Sequence, residues 1–311
     1  LMGRIVRQAR FSSGEVDAIN YRRTDVGNYL TGAKSLQNFQ VSTVGDAKKR
    51  LGTDFVSNIT SLAGFLSVGR IVEFQDKDEN FYFIVIVEAS GFVFDKAGTY
   101  IDTLTTMPYA EDEIRDIDYT LFGGRLVLTH KNHPVGAISI ANYSPLTFAY
   151  SVLDIYPLPA WNFGNRSLVG IDFMIAVTAS IVTITYQAGT LPPIDQDVVG
   201  GQVLAPGPNG TIGYAVITSA VNQSSVTGNM VMPISPTAAG EVVPGALITL
   251  KDPVFSSSRG YASKVSHYDK RLWYAATESL PLGLFGSGIN NPDDFDVGLG
   301  RPTDAIIEVL G

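Results

Sequence analysis

The chain has 311 residues, 45% hydrophobic and 17% charged, with a net charge of −8. That apolar content excludes a disordered chain and supplies core for one large domain or two to three ordinary ones. Charge below the roughly 25% of ordinary soluble domains fits a protein that buries surface against other subunits. The acidic balance argues against tight sequence-independent DNA binding, and the lack of cysteine removes disulfides, thiolate metal sites and cysteine nucleophiles.

The first ten residues place Arg4, Arg7 and Arg10 three apart, as on one side of a helix or in a basic arm. They have no apolar core or cleavage pattern, so no signal peptide is expected. After the turn Phe11-Ser-Ser-Gly-Glu15, Arg22 and Arg23 precede Thr24 and Asp25, both good N-caps. From there Val26, Tyr29, Leu30, Ala33 and Leu36 follow a helical period, interrupted by Gly27 and Gly32. A strand and turn at residues 38–45 lead to the basic run Lys48, Lys49 and Arg50. These arginines and lysines, on residues 1–62, form the expected docking region.

Residues 63–161 read as short strands and turns. Arg70-Ile-Val-Glu-Phe74 and Phe81-Tyr-Phe-Ile-Val-Ile-Val87 flank an acidic turn, and Phe92-Val-Phe94 and Tyr100-Ile101 add two more strands. Four strands before Pro108 suit one propeller blade or one small sheet. The stretch from Pro108 to Tyr119 starts as a short acidic helix, with Glu111, Asp112 and Glu113 in its first turn.

Two later stretches look like copies of one unit. Phe122-Gly-Gly-Arg125-Leu126 is followed by Pro134 and by Pro145-Leu-Thr-Phe148. Tyr268-Asp-Lys-Arg271-Leu272 is followed by Pro281 and by Pro292-Asp-Asp-Phe295. Both read aromatic-x-x-Arg-Leu, a β-rich run, a proline, ten residues and Pro-x-x-Phe, which points to one supersecondary unit used twice. Between them, residues 162–252 carry few charges and are rich in Val, Ile, Thr, Ser, Gly and Pro. They are expected to form an inserted β-sandwich or barrel, and the segment 168–186 within them is broken by Asp172 and reads as strands rather than a membrane span. The main pattern resumes over 253–311.

The order Phe11-Ser-Ser-Gly-Glu15, Asp25-Val-Gly-Asn-Tyr29-Leu-Thr-Gly32, Asn38-Phe39 and Arg50-Leu-Gly-Thr-Asp-Phe55-Val56 resembles the opening of tail nozzle or hub proteins of short-tailed bacteriophages, the tail tubular protein B-like group. Leu51 stands where many members carry proline. The Pro108-Tyr109 segment resembles the same family, as does Arg259-Gly-Tyr261 ahead of an Arg-Leu strand, although Ala262 replaces a proline there. The resemblance covers roughly residues 11–160 and 255–310. It implies a virion tail protein with a propeller-like body, assembled as a ring, commonly a hexamer, below the portal and its adaptor. Genome DNA would pass through the channel without specific binding, and tail fibre or needle proteins would be further partners. Members of the family continue well beyond this length, so this is either a compact relative or a chain that more protein follows.

Chemical motifs are weak. With Arg125 to His130 as a strand and His133-Pro134 as its turn, His130 and His133 would point to opposite faces, and no third histidine or any cysteine lies near in sequence, so no metal site is expected. Gly286-Ser-Gly288 is followed by Pro292 and no helix, which does not suit a phosphate loop, and Asp293, Asp294 and Asp296 lack the glycine and distal glutamate of a calcium loop. No Gly-x-Ser-x-Gly elbow is present. The expected fold is mainly β, a propeller-like body of short antiparallel sheets with an N-terminal arm and helix and an inserted β domain. It is expected to be structural, with no catalytic, metal or cofactor residues; a receptor-binding or fibre-docking module and a propeller glycan hydrolase are the rival readings.

Overall fold

The computed structural model describes all residues except 1–9, 22, 24, 28, 43, 51, 53–58, 60, 61, 63–67, 165, 166, 190–193, 222, 223, 299 and 311. The chain divides into two units, Leu1–Val56 and Ser57–Gly311.

In the first unit, β1 (Phe39–Val41) and β2 (Ala47–Lys49) form an antiparallel hairpin in which Phe39 faces Lys49. Upstream, Glu15 and Ala33 make an isolated bridge that closes the intervening loop, and Leu36 N donates to the Glu15 carboxylate at 3.1 Å. The helix expected from residue 24 onward does not form among the described residues. Instead a 3-10 turn, Ala18–Asn20, capped by Asp17, leads into chained turns: Arg23 N to Asn20 O, Val26 N to Arg23 O and Tyr29 N to Val26 O. Turns that each close over three residues reproduce the apolar spacing of a helix. Gly27 and Gly32 each cost a helix about 1 kcal/mol, and with Leu30 exposed and Val26, Tyr29, Ala33 and Leu36 only half-buried, little packing offsets that cost.

The second unit is built from antiparallel sheets. β3 (Arg70–Gln75), β4 (Phe81–Val87), β5 (Ser90–Asp95) and β6 (Tyr100–Leu104) make a four-stranded meander. Strict alternation sets its faces: Val72, Phe74, Tyr82, Ile84 and Ile86 are buried, while Ile71, Phe81 and Phe83 are exposed. β7 (Asp118–Phe122), β8 (Arg125–His130), β9 (His133–Tyr143) and β10 (Leu146–Val152) make a second meander. The expected acidic helix ahead of β7 is a pair of turns, Glu113 N to Ala110 O and Asp116 N to Glu113 O. The Glu113 carboxylate caps the first by accepting Ala110 N at 3.0 Å, which satisfies the turn without a helix.

After β10 the chain enters one open antiparallel sheet of eight strands. These are β11 (Ala160–Trp161), β12 (Asp172–Thr178), β13 (Ile181–Ala188), β14 (Gln202–Pro206), β15 (Ile212–Val221), β16 (Ser225–Met232), β17 (Val243–Pro244) and β18 (Thr249–Pro253). Their order is β11-β18-β14-β15-β16-β13-β12-β17. The expected sandwich or barrel is therefore a single sheet. Loop residues Ile194, Val198, Ile234 and Ile248 join its strands in one buried cluster, so loops supply cover that a second sheet would otherwise give. A third meander closes the chain: β19 (Lys264–Tyr268), β20 (Arg271–Ala275), β21 (Gly283–Gly286) and β22 (Ile306–Val309).

The second meander is buried on both faces. Leu126 and Leu128 of β8 join Val72, Phe74 and Ile84 of the first meander. Val127, between them, joins Leu272, Tyr274 and Phe285 of the third. Successive residues on a strand point to opposite faces, so the three meanders stack face to face with β8 in the middle. Edge-to-face aromatic contacts fill both layers, Phe74 with Phe148 at 5.5 Å and Phe255 with Phe285 at 5.4 Å.

Candidate functional site

Of the basic residues expected to dock, Arg4, Arg7 and Arg22 lie outside the described residues. Arg10 is exposed, and the Arg23 guanidinium pairs with the Asp25 carboxylate at 2.6 Å in an exposed position. Lys48 and Lys49 are exposed consecutive residues of β2, so their side chains leave opposite faces of the hairpin, and exposed Arg50 follows. These groups are accessible charges, and the hairpin does not gather them into one patch.

The paired stretches share their first half and part in their second. Phe122 pairs with Arg125 across Gly123 and Gly124, and Tyr268 pairs with Arg271 across Asp269 and Lys270. All four turn residues have positive φ, between 50° and 76°, the pattern of a type I′ hairpin turn. Each arginine thus opens the second strand of a meander, and the leucine after it, Leu126 or Leu272, is fully buried. The arginines then differ. Arg125 is part-exposed and grips Asp293, whereas Arg271 is buried and donates to the carbonyls of Ser287, Pro302 and, at 2.7 Å, Asp304. Pro145 is exposed at the β9–β10 turn and Phe148 lies on β10, but Pro292 and Phe295 lie in the loop between β21 and β22. Both phenylalanines are buried, in different clusters, so the matching Pro-x-x-Phe spacing serves different backbones.

A polar cluster that the sequence reading did not assemble sits beside β8. The expectation that His130 and His133 face apart is corrected by the chain reversal between them. Lys131 and Asn132 form the turn from β8 to β9, and His130 pairs directly with His133. Paired residues across a hairpin share a face, and their ring centroids are 5.3 Å apart. Glu113 reaches in from the preceding turns. Its Oε2 accepts from His133 Nε2 at 2.6 Å, and its Oε1 accepts from Asn132 Nδ2 at 2.8 Å and lies 3.8 Å from His130 Nδ1. Tyr109 packs edge-on against both imidazoles.

Electrostatics follow from this enclosure. Burial alone would raise the Glu113 carboxyl, but hydrogen bonds from Asn132, the Ala110 N–H and His133 outweigh it and bring the group down to about 2. His130 is held below the ordinary histidine value chiefly by burial, against the attraction of Glu113. Among the described residues its Nε2 has no hydrogen-bond partner, while its Nδ1 accepts the Asn132 N–H at 3.3 Å. Two imidazoles and one carboxylate thus face one another, and they are the one such group of potential metal ligands among the described residues.

No protein-family model and no curated protein sequence matches this chain. Among the described residues, no helix is long and apolar enough to cross a membrane.

Proposed function

We propose that this chain is a structural subunit of a short phage tail, a nozzle or hub ring below the portal adaptor. It would hold the genome in the packaged virion and conduct it at ejection. The observation that carries the reading is the ordered run of motifs from Phe11 through Asp25, Tyr29, Gly32, Asn38 and Phe39 to Arg50, Thr53 and Phe55. The three stacked four-stranded meanders support it, since radial stacking of such sheets is how propeller blades pack.

The action is physical. A channel wall with excess carboxylate repels phosphates at short range, and ions screen that repulsion beyond about 8 Å at physiological salt, so DNA slides without adhering. The charge-poor segment 162–252 leaves Val169, Ile181, Ile212 and Leu247 exposed, apolar side chains suited to cover by a neighbouring subunit or a tail fibre. Mass measurement of the purified chain, alone and with the cognate portal adaptor, tests the reading. A closed oligomer, six subunits by the family analogy, or capture by the adaptor is the expected result. A monomer that stays monomeric with the adaptor present overturns it.

A further inference from the structure

The whole sequence holds three histidines and no cysteine, and two of those histidines converge on one carboxylate. We propose that Glu113, His130 and His133 bind a single Zn2+ ion, which clips the turns at residues 110–116 to the β8–β9 hairpin. The inference stands apart from the tail reading and depends only on this cluster.

The donor set selects the ion class. Calcium and magnesium take oxygen ligands, whereas paired imidazoles with one carboxylate suit zinc and its neighbours. The spacing is also right. Ligand bonds of 2.0–2.2 Å at tetrahedral angles put donor atoms roughly 3.3 Å apart. Glu113 reaches both imidazoles, its Oε2 lying 2.6 Å from His133 Nε2 and its Oε1 3.8 Å from His130 Nδ1, and one donor atom from each of the three residues lies within 4.8 Å of the others. Binding therefore needs only small side-chain shifts: the His133–Glu113 contact opens, and His130 Nδ1 exchanges its long bond from Asn132 for the metal.

The surroundings hold the donors in place. The hairpin fixes both imidazoles in register, and the Ala110 N–H and Asn132 amide orient the carboxylate from behind. His130 is buried while Glu113 and His133 are part-exposed, so the ion enters from their side. The fourth tetrahedral position takes a water.

Chelator-stripped full-length chain is titrated with Zn2+ by calorimetry and with Co2+ by visible absorption. The expected result is one ion per chain, a tetrahedral Co2+ spectrum and a raised melting temperature. Glu113→Gln and His133→Ala each weaken binding at least tenfold, and His267→Ala, on β19, leaves it unchanged. No saturable binding overturns the proposal, as does affinity that both cluster variants leave intact or that His267→Ala also abolishes. Should His133→Ala fail to fold by circular dichroism, Glu113→Gln decides, because its amide oxygen can still accept the Ala110 N–H.

Discussion

Arg125 and Asp293 stand 168 residues apart in sequence and meet in a two-point ion pair, Nη1 to Oδ2 at 3.0 Å and Nη2 to Oδ1 at 3.3 Å. The arginine belongs to the first of the paired stretches and the aspartate to the Pro-x-x-Phe of the second, so the eight-stranded insertion is spanned by a direct link between them. Asp293 is anchored independently, since its carbonyl accepts the Tyr156 N–H at 2.9 Å.

The two arginines of the repeat should therefore differ sharply in energetic weight. Arg125 and Asp293 are each about a third exposed and solvent screens them, so a double-mutant cycle with Arg125→Ala and Asp293→Ala should give a coupling of about 0.5–1 kcal/mol that shrinks with salt. Arg271→Ala strands three carbonyl acceptors in a buried site, at about 1–3 kcal/mol for each unsatisfied group, and should cost at least about 3 kcal/mol. Arg271→Lys should recover little, because an ammonium cannot reproduce the guanidinium fork. Urea unfolding of these variants checks the ranking.

The hairpin turns can be tested by exchanging glycine. Lys270 sits at φ 60°, where a residue with a Cβ is strained. Lys270→Gly makes the turn Asp-Gly, a favoured type I′ pair, and should stabilise by about 1 kcal/mol. Gly124, at φ 76°, should lose a similar amount as Gly124→Ala. A rise in melting temperature for the first variant and a fall for the second is the expected pair of results.

Asp76 supplies a pH-dependent element in the β3–β4 turn. Its carboxylate accepts Asp78 N, Asn80 N and Asn80 Nδ2 at 2.8–2.9 Å. Burial pushes its pKa up, but those bonds, with Asn80 foremost, hold it below the ordinary value. A depressed carboxyl contributes stability that is fully present above its unfolded value of about 3.9 and is lost as pH falls through its folded value. Asp76→Asn should lower stability at neutral pH and flatten the loss as pH falls below about 4, followed by denaturation midpoints over that acid range.

What the sequence made legible was governed by local period. The strands at Arg70 to Phe74 and Phe81 to Val87 alternate cleanly because one face is core and the other solvent, and they form β3 and β4. The misread segments are places where another geometry shares a spacing. Chained turns at Asn20, Arg23, Val26 and Tyr29 step by three, close to a helical turn, and only the glycines hinted otherwise. Pro292 to Phe295 keeps the spacing of Pro145 to Phe148 without its strand. The Glu113 cluster is hidden for a different reason: the proline after His133 points to a turn at His133-Pro134, whereas the chain reverses just before it, at residues 131 and 132. Neighbouring polar residues between two apolar runs were the available signal for that turn.

The basic docking groups invite a charge-reversal test on the proposed assembly. Lys48, Lys49 and Arg50 are exposed at the end of β2 and just after it. Replacing all three with glutamate should leave the second unit's melting temperature unchanged while weakening adaptor association at least tenfold, with the effect diminishing at high salt. Adaptor binding that survives reversal would remove these residues from the interface.

The ring itself is the central claim, and electron microscopy of the purified assembly bears on it most directly. The account predicts class averages with axial symmetry, six-fold by the family analogy, and a three-dimensional map whose open channel is lined by carboxylates and wide enough for duplex DNA. Trimers with the eight-stranded sheet at their tip, or a ring whose lumen is basic with carboxylates confined to the outside, would contradict it.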